Sequence, residues 1–176
     1  MINPLYLKKE NISEIKRELS KNGIIVLNDF LLNKEYKKIK KNVLNLRYKH
    51  EINLMEYKLS SAEFELSENV KEFLLNIFGL PAMEIKAYSL RHKDYWLLHG
   101  KNNYEFILDL TNNWNPGSGG VICYRDDNGD AIKIPCSENS LVIVKNKKLK
   151  RYINYINHYA RKRKRYFVLG RFAKDL

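Results

Sequence analysis

Between residues 84 and 172 the sequence alternates short apolar runs with turn-forming segments, and this alternation restricts the possible folds more than any other feature. Eight runs have the length and composition of β-strands, at residues 84–91, 95–99, 104–111, 120–124, 131–134, 141–145, 151–158 and 166–172. The segments between them are rich in Gly, Asn, Asp and Pro, and they are too short to hold crossover helices. The eight strands must therefore pair antiparallel, as a sandwich or a barrel of the jelly-roll type.

The first half of the chain predicts three helices and one strand. Asn11, Asn33 and Ser67 are predicted helix N-caps, because each precedes apolar residues at helical spacing. The continuous apolar run Ile24–Leu27 predicts a strand buried on both faces. Residues 50–65 are ambiguous, with one strand expected at 52–57.

Together these elements predict a single α+β domain over residues 1–176, since this length suits one hydrophobic core. Residues 1–82 are expected to form a helical support with one or two strands. Residues 83–176 are expected to form a double-stranded β-helix, the cupin-like jelly-roll barrel of about eight antiparallel strands. Tyr88 and Trp114 are expected to be core aromatics.

The chain is strongly basic, with 32 Lys and Arg against 20 Asp and Glu and a formal net charge of +12. Such a charge attracts polyanions, so a nucleic acid or another polyanion is a candidate partner. The basic residues are also spread from Lys8 to Lys174, as a general compositional bias would place them. Both explanations stay open at this point.

Cysteine content and hydropathy restrict the cellular setting. The two cysteines, Cys123 and Cys136, have no CxxC spacing, so neither a zinc knuckle nor a disulfide framework is indicated. The N-terminus lacks the apolar run of a signal peptide, and no stretch of about 18 apolar residues occurs. The sequence thus predicts a soluble cytoplasmic protein without a membrane partner, whose oligomeric state is open.

Several residues of the C-terminal half follow one another in a recognisable order. They are Asp94, His99, Trp114, the pair Gly119-Gly120, the turn Pro135-x-x-x-Asn139-x-Leu141, His158 and Arg165. In this order the sequence resembles the prolyl-hydroxylase-like branch of the iron(II) and 2-oxoglutarate dependent dioxygenases. In that family a strand ends in His-x-Asp/Glu, a distal His lies near the seventh core strand, and an Arg at the start of the eighth binds 2-oxoglutarate. The resemblance implies Fe(II) on His99 and His158, 2-oxoglutarate on Arg165, and a small-molecule or peptide substrate.

One residue departs from the family pattern. The position two residues after His99, where the family has an acid, is Lys101. Two imidazoles and one carboxylate leave open positions on Fe(II), whereas an ammonium group cannot ligate the metal. A single positive charge about 4 Å from a divalent ion is unfavourable by on the order of 8 kcal/mol at an effective dielectric of about 20. Lys101 must be deprotonated, turn away, or occupy a site without a divalent metal.

A second register is possible for the first ligands. His92-Lys93-Asp94 is itself a His-x-Asp sequence and would complete three ligands with His158. It would, however, place the pair before the strand that the family uses. The sequence alone leaves both registers open.

Three functions follow from these observations. The first is an Fe(II) and 2-oxoglutarate dependent oxygenase that hydroxylates a peptide side chain or a small molecule. The second is a catalytically degenerate descendant that binds a ligand or a protein. The third is a nucleic-acid-binding module, indicated by the net charge and by the basic run 161–165 with its neighbouring tyrosines.

Overall fold

The computed structural model describes residues 1–99, 104–126, 128–145 and 149–172, with only the backbone of Met83, Leu98 and His99. Three α-helices lie in the first half of the chain: α1 (Lys9–Asn22), α2 (Asn33–Leu44) and α3 (Glu68–Phe78). Each helix buries one apolar face, because its hydrophobic residues recur at helical spacing. Gly23 and Gly79 end α1 and α3 at φ of 72° and 74°, a conformation that glycine adopts without strain.

Eleven strands occur among the described residues. They are β1 (Ile24–Leu27), β2 (Lys49–Asn53), β3 (Tyr57–Glu63), β4 (Ala82–Leu90), β5 (Tyr95–His99), β6 (Tyr104–Asp109), β7 (Ile122–Arg125), β8 (Ala131–Ile134), β9 (Ser140–Lys145), β10 (Lys150–Ile153) and β11 (Arg165–Phe172). The pairing order is β1-β9-β6-β11-β4-β3-β5-β10-β7-β8, with β2 added to β3, and every pair is antiparallel. The predicted jelly-roll is therefore confirmed.

The strands form two layers, and β3 pairs with one strand of each layer. Ser60 to Glu63 of β3 pair with β4, whereas Tyr57 and Lys58 pair with β5. One layer is β1-β9-β6-β11-β4 and the other is β5-β10-β7-β8. Each layer alternates strands that are distant in sequence, as a double-stranded β-helix requires.

Side-chain alternation along β6 separates two hydrophobic cores. Phe106 and Leu108 belong to the core that the helices cover, whereas Ile107 belongs to the core between the two layers. Because side chains on a strand point alternately to its two faces, Glu105 and Asp109 share the face of Ile107. Both acidic side chains are buried. The interior of the barrel therefore contains charges.

Several predicted boundaries are corrected. The helix N-caps are Lys8, Leu32 and Ser67, and none makes a side-chain capping hydrogen bond, so Asn11 and Asn33 are not caps. The ambiguous region holds the two strands β2 and β3, and the single strand expected at 52–57 falls across their turn. The strand expected at 151–158 ends at Ile153, and Asn157 caps the 3₁₀ turn that follows, where its side chain accepts the Tyr159 N–H.

Two further expectations concern the setting of the chain. No helix in the described part is long and apolar enough to span a membrane. Cys123 and Cys136 are both free thiols, and burial raises the pKa of Cys136 to about 11. That thiol is therefore protonated, and poorly nucleophilic, at neutral pH.

Candidate functional site

The cross-strand register places an arginine where the sequence predicts a metal ligand. β10 is the seventh of the eight core strands, and its Arg151 pairs directly with His99 of β5 and with Tyr124 of β7. No histidine lies in β10. The strand position that faces His99 is therefore occupied by Arg151, whose side chain is only 2% exposed.

Arg151 belongs to a buried polar cluster. Its Nη1 lies 3.4 Å from Oε2 of Glu105, near enough for an ion pair although the atoms are not aligned as a hydrogen bond. The Tyr124 hydroxyl donates to the other oxygen of Glu105 at 2.6 Å, and burial together with this carboxylate raises the pKa of Tyr124 well above its usual value. The guanidinium also lies 4.2 Å from the centroid of the Trp96 ring. An acid, a hydroxyl and an aromatic ring together hold this cation inside the barrel.

Arg165 is the first residue of β11, the position at which the resemblance expects the co-substrate arginine, and its side chain is completely buried. Its guanidinium is already engaged: Nη2 donates to Oδ2 of Asp109 at 2.8 Å, and Nη1 donates to the carbonyl oxygen of Gly120. The Trp114 indole N–H donates to the carbonyl of Gly119 at 2.8 Å, which holds the segment before β7 that contains Gly120. The predicted Trp and Gly-Gly segment therefore positions Arg165.

A column of aromatic rings connects the two arginines. From Arg151 it passes to Trp96, then to Tyr88 at 5.1 Å between ring centroids, and on to Phe167 at 5.3 Å. Arg165 lies 5.6 Å from the Phe167 centroid. Aromatic side chains of the chain itself therefore lie between the two arginines. Tyr88 and Trp114 are buried core aromatics, as predicted.

His158 lies near the opposite end of β5 from His99. It begins a 3₁₀ turn, His158–Ala160, and its exposed ring is 4.2 Å from the ring of Tyr159. Ile156 exchanges backbone hydrogen bonds with Lys93 and Asp94, at the start of β5. Asp94 and His99 are five residues apart on an extended strand, a distance of roughly 16 Å. The structure does not bring His158 to His99, so the assignment of both as ligands gains no support from the backbone geometry.

The second register gains no support from the described side chains. His92, Asp94 and His158 all belong to the described part of the chain, within which no three His, Cys, Asp or Glu side chains cluster to hold a metal ion. The Asp94 carboxylate is buried and accepts the Arg91 backbone N–H at 3.0 Å. Lys101, and the side chain of His99, lie outside the described residues.

The architecture matches solved structures across almost the whole chain. A prolyl-4-hydroxylase from Pseudomonas putida superposes with a TM-score of 0.76 at 12% identity, covering 94% of this chain and 100% of the other. A Trichoplax adhaerens prolyl hydroxylase, solved with a hypoxia-inducible-factor peptide fragment, gives 0.70 at 14% identity, covering 94% and 93%. The chain has the prolyl hydroxylase fold. A 2-oxoglutarate and Fe(II) oxygenase family oxidoreductase from Burkholderia pseudomallei agrees, with a TM-score of 0.72 at 8% identity and coverage of 94% and 91%.

Sequence comparison adds nothing to this likeness. The chain matches no protein-family model and no curated protein sequence. At identities of 8% to 14% the structural likeness concerns the fold alone. What the site can do must therefore be argued from its own residues.

The residues present do not fit the iron and 2-oxoglutarate of the oxygenases that share the prolyl hydroxylase fold. Of the three ligand positions, the acidic one is Lys101 in the sequence and the one facing His99 in β10 is Arg151. A guanidinium stays protonated in proteins, so it cannot ligate a metal and it repels a divalent cation. The guanidinium of Arg165 already holds a carboxylate of the chain itself.

Sequence reasoning missed Arg151, Tyr124 and the two acids of β6. For Glu105 and Asp109 a signal existed: they fall on one face of an otherwise apolar strand, so buried acids with buried partners could have been predicted. Arg151 was not predicted as a site residue. Apolar residues continue to Ile156, so the predicted strand extends to His158, the ligand that the resemblance implies.

Proposed function

We propose that this chain is a non-catalytic binding protein built on the prolyl hydroxylase fold. The observation that carries the proposal is the Arg165–Asp109 ion pair, in which both side chains are almost fully buried. The cation expected to hold 2-oxoglutarate already has an acidic partner within the chain.

The energetics of this pair disfavour 2-oxoglutarate. To reach Arg165, the carboxylate of the co-substrate would have to displace Asp109 and leave that acid buried without a cation. Removing one partner of a buried ion pair is typically unfavourable by about 3–5 kcal/mol. Such a penalty weakens binding by roughly two to four orders of magnitude. The ion pair therefore closes the barrel to the co-substrate.

The other end of the barrel supports the same proposal. Arg151 is held by Glu105 and Trp96 at the position facing His99, so a positive charge stands beside the expected metal site. The Glu105 carboxylate is engaged by both Arg151 and the Tyr124 hydroxyl, so it is not free to replace the missing acidic ligand. His99 alone is a weak ligand set for Fe(II).

Reconstitution with both cofactors tests the proposal. Protein purified without chelators is analysed for metals and then titrated anaerobically with Fe(II) and 2-oxoglutarate, alongside a prolyl-4-hydroxylase of the same fold. We expect no stoichiometric iron, no visible charge-transfer band and no succinate release. A saturable band together with succinate formation would contradict the proposal.

An Fe(II) and 2-oxoglutarate dependent oxygenase acting on a peptide side chain or small molecule is the second candidate function. It is favoured by the fold and by the burial of Arg165 at the first residue of β11, where the resemblance expects it. It requires Asp109 and Arg151 to move away when the cofactors bind. The same titration separates the candidates, since only an oxygenase produces succinate.

A further inference from the structure

A surface loop between β10 and β11 combines positive charge with exposed aromatic rings. We define this basic-aromatic loop as residues 155–164, with four consecutive exposed cations, Arg161, Lys162, Arg163 and Lys164. Tyr155 and Tyr159 in the same loop are 50% and 61% exposed. Each ring therefore offers a partner an apolar face and a hydroxyl group at the surface.

The loop has a defined conformation. The Asn157 side chain accepts the Tyr159 N–H at 2.9 Å and donates to the Gly117 carbonyl at 2.7 Å. Arg161 is held at φ 52° by a backbone hydrogen bond to His158, and the Arg163 N–H bonds to Ala160. The charged and aromatic side chains therefore start from fixed backbone positions, which lowers the entropy lost on binding.

Arg163 separates two adjoining surface pockets. One, of about 250 Å³, is lined by Tyr159, Arg161 and Asn115; the other, of about 310 Å³, is lined by Lys164 and Asn113. Arg163 contributes to both and donates to the Asn113 carbonyl at 2.5 Å. One pocket lies just below, and the other at the lower end of, the roughly 300–1,000 Å³ range of small-molecule sites. Two small basic pockets side by side suit a repeating anionic chain better than one compact ligand.

The positive charge of the loop is not neutralised locally. Within the described residues, no carboxylate forms an ion pair with any of the four cations. The pairing of Arg165 with Leu90 places exposed Arg91 next to Lys164, which adds a further cation to the surface. The potential at the loop therefore favours polyanions.

We propose that the basic-aromatic loop binds single-stranded nucleic acid. Phosphates contact Arg161, Arg163 and Lys164, while a base stacks on Tyr159. The exposed rings favour a single strand over a duplex, since bases are free to stack on a side chain only in a single strand. This proposal rests on the proposed function in that it names a partner for a binding protein. The binding surface lies outside the barrel, and nucleic-acid binding is measured without iron or 2-oxoglutarate.

Fluorescence anisotropy of labelled oligonucleotides of about 12 nucleotides tests the inference. The probes are oligouridine, oligothymidine and a duplex of equal length, so RNA and DNA are separated as sources of the strand. We expect saturable binding of a single strand that is tighter than duplex binding. Contacts of phosphates with Arg161, Arg163 and Lys164 predict a log–log salt slope of about −2.

Two sets of variants locate the site. Replacing residues 161–164 by Gln should weaken single-strand binding roughly tenfold or more. The matched control replaces Lys34, Lys37, Lys38 and Lys41, exposed on α2, by Gln, and removes the same charge elsewhere. Tyr159→Ala should weaken binding by about fivefold or more, while Tyr159→Phe, which keeps the ring, should retain it.

The inference is overturned if the wild-type chain binds no single strand, or if both charge variants lose affinity equally. It is also overturned if duplex or anionic vesicles bind as tightly and Tyr159→Ala has no effect. None of these results would alter the iron and 2-oxoglutarate titration. Failure here is therefore distinguishable from failure of the proposed function.

Discussion

The Arg165 guanidinium donates a 2.8 Å hydrogen bond to the Asp109 carboxylate inside the barrel, where an oxygenase of this fold would be expected to receive its co-substrate. The acid comes from β6 and the arginine from the neighbouring β11, with Phe167 of β11 opposite Asp109 in the register. The ion pair is therefore built into the sheet itself. Its removal should affect both stability and ligand access.

Removing the acid tests this relationship directly. Asp109→Asn preserves the shape of the side chain but leaves the Arg165 charge buried and unpaired. We expect it to lower the free energy of unfolding by about 3–5 kcal/mol, measured by urea denaturation. The double variant Asp109→Leu with Arg165→Met removes both charges, so it should recover most of this loss.

A surface ion pair provides the control. Arg17 and Glu14 are 3.0 Å apart on α1, but both side chains are mostly exposed. Glu14→Gln should change the free energy of unfolding by less than about 1 kcal/mol. If Asp109→Asn were equally mild, the Arg165–Asp109 pair would not be what closes the barrel.

A metal site restored by substitution should bind tightly only if Arg151 is also replaced. Lys101→Asp alone should not create a tight site, because the Arg151 charge remains opposite His99. Lys101→Asp combined with Arg151→His supplies the two imidazoles and one carboxylate of an oxygenase site. We expect the double variant to bind Co(II), followed by its visible absorption, at least about tenfold more tightly than the single variant.

His99→Ala in the double variant is the matching control and should abolish the gain. Equal Co(II) affinity of the single and double variants would show that Arg151 does not oppose the metal. The proposal that Arg151 replaces the distal ligand would then fail.

Gly119 should be intolerant of any side chain. Its backbone is at φ 75° and ψ −154°, a region open essentially to glycine, and an added Cβ would lie 2.0 Å from the Tyr155 carbonyl oxygen. Gly119→Ala should therefore lower the free energy of unfolding by about 3 kcal/mol or more.

Gly79→Ala separates the two causes of this loss. Gly79 has a similar φ of 74°, but an added Cβ would meet nothing within 4 Å. Gly79→Ala should therefore lower the free energy of unfolding, measured by urea denaturation, by only about 1–2 kcal/mol. Comparable losses at both positions would mean that the contact of Gly119 with Tyr155 is unimportant.

The fold was predictable because the residue pattern of a β-strand is local in the sequence. The runs 95–99 and 131–134 were predicted at their observed bounds, since alternating apolar residues and adjacent turns fix both ends. The hairpin of β2 and β3 was not, because its strands hold polar and charged residues and its tip exposes Leu54 and Met55. Division of the chain into residues 1–82 and 83–176 stays a prediction, although β1 and β3 join the sheets.

The site was less predictable than the fold because it depends on partners that are distant in sequence. Arg165 was found from its position at the start of a strand, but its partner Asp109 lies 56 residues earlier. Arg151 was missed because β10 ends at Ile153, although apolar residues continue to Ile156 before Asn157 caps the next turn. The predicted strand continued past Ile153, so the sequence assigned His158 to the ligand position. In the structure that position is occupied by Arg151, seven residues earlier.

The buried Asp94 carboxylate should make stability depend on pH. Burial raises its pKa, although the bond from the Arg91 N–H and the charges of His50, Lys58 and Arg91 lower it. Between the unfolded pKa of about 3.9 and the raised folded value, the folded state binds more protons. Its stability therefore falls as pH rises through this window. Asp94→Asn removes the titration, so the stability of the wild type relative to this variant should decrease from about pH 4 toward pH 7.

Urea denaturation of both proteins across that range measures the difference. The comparison is repeated in a His50→Gln background, which removes a neighbouring group that acts on the Asp94 carboxylate, and the trend should persist. A relative stability that instead rises with pH would mean that the folded state lowers the Asp94 pKa. The unpartnered Oδ1 of Asp94, buried without a hydrogen bond among the described residues, gives the physical reason to expect a decrease.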